Sequence, residues 1–160
     1  MRPDELRELY RGGRPNDRAR AIQARFMRVA RLGIVPIAGV LEVVGRRTGT
    51  VSRLPLAVAW YGGHRYLVAM LGPSTNWVRN VEAADGRAVW EQGTRHEVIL
   101  VPVPVEQRAP ILRRYLLTAW SARPHVAVRW NAPLADFKAV ADRYPVFRIT
   151  RATPGGKMLP

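Results

Sequence analysis

Between residues 38 and 103 the chain is punctuated by short glycine turns at hairpin spacing, and this spacing limits its fold more than any other feature. Residues 40–44, 54–61 and 65–71 are rich in Val, Leu and aromatic side chains and predict three strands. Gly45-Arg46-Arg47-Thr48-Gly49 joins the first to the second, and Gly62-Gly63 joins the second to the third. Residues 87–91 and 95–103 predict another hairpin about Gly93-Thr94, and residues 146–150 a closing strand. Pro102 and Pro104 lack an amide donor and put the end of the fifth strand at an edge or a sheet exit. Alternating βαβ units are absent, which disfavours Rossmann and TIM architectures. The expectation is an α+β protein, mainly β: six antiparallel strands closing into a small barrel with helices on its outside.

Helical periodicity flanks the strands. Over residues 17–32, Ile22, Phe26, Val29 and Ala30 share one side and Arg20, Arg28 and Arg31 another, with Asn16 or Asp17 as cap and Gly33 as stop. The apolar side is expected to pack on the domain, a membrane surface and a cofactor site being its other readings. Pro73-Ser74-Thr75 opens a helix that runs to about residue 84 and closes at Asp85-Gly86, and residues 106–120 and 133–143 predict two more. The expected organisation is one unit over residues 1–160, with 1–15 and 152–160 as loose termini.

Chemistry is narrowed by what the chain lacks. With no cysteine in 160 residues there is no disulfide, thiolate ligand or cysteine nucleophile, which fits a reducing cytoplasm. A charged N-terminus without an apolar core makes export unexpected, and the apolar stretches at 33–41 and 54–61 are too short to span a bilayer. His64, His96 and His125 stand apart, no carboxylates pair, and no Gly-x-Ser-x-Gly elbow occurs. What remains is cationic: the net charge is +14, and of 26 Lys and Arg residues only Lys138 and Lys157 are lysines. Guanidinium forks match phosphate and carboxylate oxygens, so an anionic partner is expected. Arg46, Arg47 and Thr48 in one turn, with Arg53 soon after, can converge on such a group. Ser74 and Thr75 at a helix start offer a second anion site, with Trp77 and Asn80 following on one helix face. A solvated basic turn, and a cap followed by a core tryptophan, are the plain alternatives.

In order along the chain, Arg31-Leu32-Gly33, Leu41-Glu42-Val43-Val44-Gly45-Arg46-Arg47-Thr48-Gly49, Arg53-Leu54-Pro55-Leu56, Gly63, Tyr66-Leu67-Val68-Ala69, Gly72, Trp77 and Asn80 resemble the deazaflavin-dependent nitroreductase family. The likeness covers about residues 20–105, with an echo at 144–149. It implies a split β-barrel related to FMN-binding proteins, and coenzyme F-420 as cofactor. By the same likeness Arg46, Arg47, Thr48, Arg53 and Pro55 hold the cofactor's phosphate and oligoglutamate tail. Gly72, Ser74 and Thr75 line it, and Trp77 and Asn80 match a Trp-x-x-Asn at the helix start. The chain departs from the family pattern at Arg47, where a lysine is usual, and at 71–76, which is shorter than the usual loop.

The activity so implied is hydride transfer from reduced F-420 to a planar acceptor, a quinone or a nitroaromatic compound, the cofactor carrying the electrons. Trp77 and, in the later helical region, Tyr115, Trp120 and Trp130 are candidates for the acceptor pocket, and Tyr115 is one candidate proton source beside solvent and cofactor. A homodimer is consistent with the family. The competing readings are an FMN-dependent oxidoreductase on the same barrel and a non-enzymatic basic protein binding nucleic acid or, through helix 17–32, a membrane surface. Nucleic acid is disfavoured because Trp60, Trp77, Trp90, Trp120 and Trp130 form no alternating basic and aromatic strand surface.

Overall fold

The computed structural model describes Asp4 and residues 17–153; most of the expected loose termini therefore lies outside the described residues. Six strands, β1 (Ala38–Val44), β2 (Val51–Tyr61), β3 (His64–Val68), β4 (Arg87–Gln92), β5 (Thr94–Pro102) and β6 (Val146–Arg151), close into a barrel in the order β1-β2-β3-β6-β5-β4. Every neighbouring pair is antiparallel. The helices are α1 (Asp17–Arg31), α2 (Asn76–Ala83), α3 (Val105–Thr118) and α4 (Leu134–Val140), with 3-10 turns at Trp120–His125 and Ala141–Arg143. The third strand stops at Val68 rather than 71 and the segment turns toward α2, with Gly72 at φ +90°.

Alternation along the strands sorts side chains to the two faces. Leu41, Val43, Leu67, Trp90, Leu100 and Phe147 fill the interior, and Val78 and Val81 of α2 pack into it. Gly39 faces the Trp90 indole so closely that a Cβ there would lie 2.6 Å from Trp90 Cε2. On the outside α3 and α4 bury Tyr66, Leu112, Tyr115, Leu116 and Phe137. Arg108 ties this layer together by donating from Nε to the Val103 carbonyl at 2.9 Å and from Nη1 to the Ala141 carbonyl at 3.2 Å.

The strands of the first hairpins are unequal. β2 pairs with β1 along residues 51–57 but with β3 only from Val58 onward. Val58 N donates to the Ile37 carbonyl and Gly45 N to the Thr50 carbonyl, so even-numbered residues of β2 point their backbone groups at β1. By alternation Arg53, Pro55 and Ala57 turn theirs to the open side. Pro55, which has no N–H to offer, occupies a place where β1 asks for none.

Helix α1 corrects one expectation. Of its expected apolar side only Ala30 is buried, packed with Ala38 and Val40 of β1, while Ile22, Phe26 and Val29 stand 39%, 40% and 43% exposed. Small residues allow close approach, and the helix end is fixed where a Cβ on Gly33 (φ +67°) would come within 2.7 Å of Gly93 Cα. Gly93 N donates to the Arg31 carbonyl at 2.8 Å at the same spot. The apolar side is therefore buried only at Ala30; Ile22 and Phe26 instead wall a cavity.

Candidate functional site

A cavity of about 560 Å³ opens beside residues 51–57 of β2, which among the described residues pair with β1 alone. One wall is β2 from Ser52 to Ala57, a second is α2 with Trp77 and Asn80, and the far side is Tyr115, Thr118, Trp120 and Ser121 at the end of α3 and beyond. Ile22 and Phe26 of α1 close part of the rim. Of the sequence candidates, Arg53, Pro55, Thr75, Trp77, Asn80, Tyr115 and Trp120 meet around this one space.

The cationic end is built by two anchors. Asn80, buried on α2, accepts from Arg46 N at 3.2 Å and from Arg46 Nη1 at 2.8 Å, which pins the β1–β2 turn to the cavity wall. Glu42 and Arg53 face each other in a non-hydrogen-bonded position of the β1–β2 ladder, where side chains approach most closely. Arg53 Nε lies 3.2 Å from Glu42 Oε1, and Arg95 Nη2 lies 2.8 Å from Glu42 Oε2. The Arg95 hydrogen bond, with help from Arg53, holds the buried Glu42 carboxyl below the usual carboxylate range against the opposing effect of burial. Glu42 was not singled out in the sequence; the available signal was a lone acid inside an apolar strand that also carries the arginine turn.

Other candidates take different places. Thr75 precedes α2, but its hydroxyl donates back to the Gly72 carbonyl at 2.9 Å instead of capping a helix amide. Ser74 is exposed and does not line the cavity. Gly72 serves the turn that accepts this bond. Arg47 and Thr48 are exposed in the β1–β2 turn, where Thr48 Oγ1 accepts from Thr50 N at 3.2 Å. Trp77 packs edge-on to Phe147 with ring centroids 5.6 Å apart, so it belongs both to the barrel core and to the cavity wall. Trp130 is not a wall of the cavity: it lies under the Arg123 guanidinium, 4.7 Å from its ring centroid. Ile22, Gln23 and Phe26 are wall residues that the helical pattern of α1 had assigned elsewhere or passed over.

Among the described residues no cluster of His, Cys, Asp or Glu could hold a metal ion. No helix there is long and apolar enough to cross a membrane.

The family model described as F-420H(2)-dependent quinone reductase matches residues 16–139. No curated protein matches the chain. Three solved structures show the range of similarity. An F-420-H2 dependent reductase is 19% identical, covers 71% of this chain and 94% of its own, and has a TM-score of 0.48. A protein of unknown function from Agrobacterium tumefaciens is 15% identical over 83% of this chain and 57% of its own, with a TM-score of 0.54. A conserved hypothetical protein from Mycobacterium tuberculosis is 14% identical over 79% of each chain, with a TM-score of 0.50. The last two share the fold.

Proposed function

Because the chain belongs to the F-420H(2)-dependent quinone reductase family, we propose that the cavity beside β2 is where this oxidoreductase holds its deazaflavin cofactor and a quinone together. The carrying observation is that one space is lined by Arg53 and by apolar walls at Leu54, Leu56, Trp77, Ile22 and Phe26, with Arg46 bonded to its wall residue Asn80. That donor set fits F-420: guanidinium groups suit its phosphate and carboxylate tail, and the flat apolar walls suit its ring system.

When bound, reduced F-420 supplies a hydride. The protein's residues orient and shield. Arg46 and Arg53, with Arg47 from the exposed turn, bind the anionic tail. The open edge of β2 offers the N–H groups of Arg53 and Ala57 and the carbonyls of Arg53, Pro55 and Ala57 to the polar rim of a planar ring. Ile22, Phe26 and Trp120 cover the acceptor and reduce its contact with water. A quinone takes up a proton as well as a hydride to become a quinol, and Tyr115, a residue of the cavity wall, is our candidate for its source.

Titrating the protein with F-420, FMN and a random oligonucleotide at physiological salt, followed by fluorescence, tests this reading. F-420 binding that falls at least tenfold when Arg46, Arg47 and Arg53 are replaced by Ala is the expected result. Binding indifferent to that change, or FMN retained in preference, overturns it.

Val29, Leu32 and Ile34 leave an apolar patch exposed next to Arg25, Arg28 and Arg31, and this favours a membrane contact for α1. Cosedimentation with anionic but not neutral vesicles, lost in Leu32→Ser/Ile34→Ser, is the corresponding test.

A further inference from the structure

A second cavity, about 450 Å³, lies on the other side of α3 and shares no wall residue with the first. It is formed where the N-terminal half of α3 crosses the outer face of β3, β6 and β5. Its floor is set by ladder register: Tyr66 of β3 and Val101 of β5 both stand opposite Arg148 of β6, so all three side chains leave the same face. Tyr61 closes one side, and Pro110 and Ile111 of α3 form the roof with Gln107 at its edge.

The informative member is Arg148. It is half-buried, no acidic residue lines the cavity with it, and among the described residues it has neither an ion pair nor a hydrogen bond. A partly desolvated guanidinium without a counter-charge is costly, and native proteins rarely leave one so. Around Arg148 the walls carry two tyrosines, which have flat faces as well as hydroxyls, the Gln107 amide, and rigid apolar surface from Val101, Pro102 and Pro110.

We propose that this cavity is a binding site for a small carboxylate with an aromatic or compact apolar body, separate from the deazaflavin site. The single guanidinium neutralises one negative charge as a bidentate partner. The tyrosines and prolines cover the apolar body, and Gln107 is in position to hydrogen-bond the carboxylate or a ring substituent. A dianion or an extended polyanion has only one cation to meet here and is disfavoured.

Benzoate and its uncharged analogue benzamide are the probes, with binding followed by two-dimensional NMR of labelled full-length protein. The expected result is saturable benzoate-induced shifts at the Gln107 side-chain amide and the Ile111 and Arg148 backbone amides, with affinity at least tenfold weaker for benzamide. Arg148→Gln is expected to weaken benzoate at least tenfold, and Arg53→Gln, in the first cavity, to leave it unchanged. Should Arg148→Gln not fold, wild-type shift mapping and the benzoate-to-benzamide ratio decide alone. Shifts confined to Trp77 and Asn80, equal affinity for the two probes, or no saturable shifts at all would overturn the proposal.

Discussion

Asn80 Oδ1 accepts two hydrogen bonds from Arg46, one from the backbone N–H and one from the guanidinium, and so joins helix α2 to the β1–β2 turn across 34 positions of sequence. The side chain that matched a family motif thus acts on the protein's own arginine. Asn80→Ala removes the shared acceptor and leaves Arg46 free to swing. A loss of about 1–2 kcal/mol in urea unfolding is expected, with F-420 binding about tenfold weaker. Asn80→Asp keeps the acceptor and adds a charge that competes for Arg46, so its stability should stay near wild type while F-420 binding still falls.

Glu42 makes stability depend on pH in a definite direction. Its carboxyl titrates lower in the folded protein than the about 4.3 expected for an unfolded glutamate, because Arg95 and Arg53 hold the charged form. The folded state therefore binds fewer protons in this window, and stability rises with pH there. The contribution is complete above the unfolded value and disappears as pH falls through the folded one. Urea unfolding of wild type and Glu42→Gln should differ by about 1–3 kcal/mol at pH 7, and the gap should narrow toward pH 3. A gap that does not change with pH would contradict the ion-pair assignment.

Gly39 is irreplaceable for steric reasons. Gly39→Ala drives a methyl group into the indole of Trp90, which is itself buried in the barrel. Because the added atom meets a rigid ring, a loss at or above about 3 kcal/mol is expected, visible as a lower Tm in a calorimetric scan. Gly39→Ala combined with Trp90→Leu should recover part of it.

Phe26 lines the cavity in which we propose the acceptor binds. Phe26→Ala should raise KM for a quinone several-fold with a change in Tm smaller than that of Gly39→Ala, since the ring is already 40% exposed. A large drop in Tm with KM unchanged would return Phe26 to the core.

The barrel was readable because turn glycines and β-branched runs are local signals. Gly62-Gly63 and Gly93-Thr94 sit where the hairpins turn, with positive φ at Gly62, Gly63 and Gly93. Ordered closure through β6 needed only the final apolar strand. Of the residues named from the sequence, Arg53, Trp77 and Asn80 come together at the cavity, and Arg46 joins them through Asn80. The site was misread on α1, because periodicity shows which residues share a face but not what that face meets. Of that face Ala30, its smallest member, packs on β1, while Ile22 and Phe26 face the cavity. Trp130 illustrates the same limit: its stacking partner Arg123 is near in sequence, and nothing local says that the cavity lies elsewhere. Glu42 is harder still, since Arg53 meets it across the β1–β2 hairpin but Arg95 lies on β5 and reaches it only when β4 pairs with β1.

Residues 51–57 of β2, which among the described residues have a strand on one side only, also bear on association between molecules. An unpaired strand edge is a template on which the strand of another chain can add itself, the first step of many aggregates. Here Pro55 withholds a donor in the middle of the exposed run, and Arg53 places charge beside it, so a foreign strand finds an interrupted ladder. The same residues that leave room for a ligand therefore guard the edge while no ligand is there, and Pro55→Val would be expected to turn a binding edge into a sticky one.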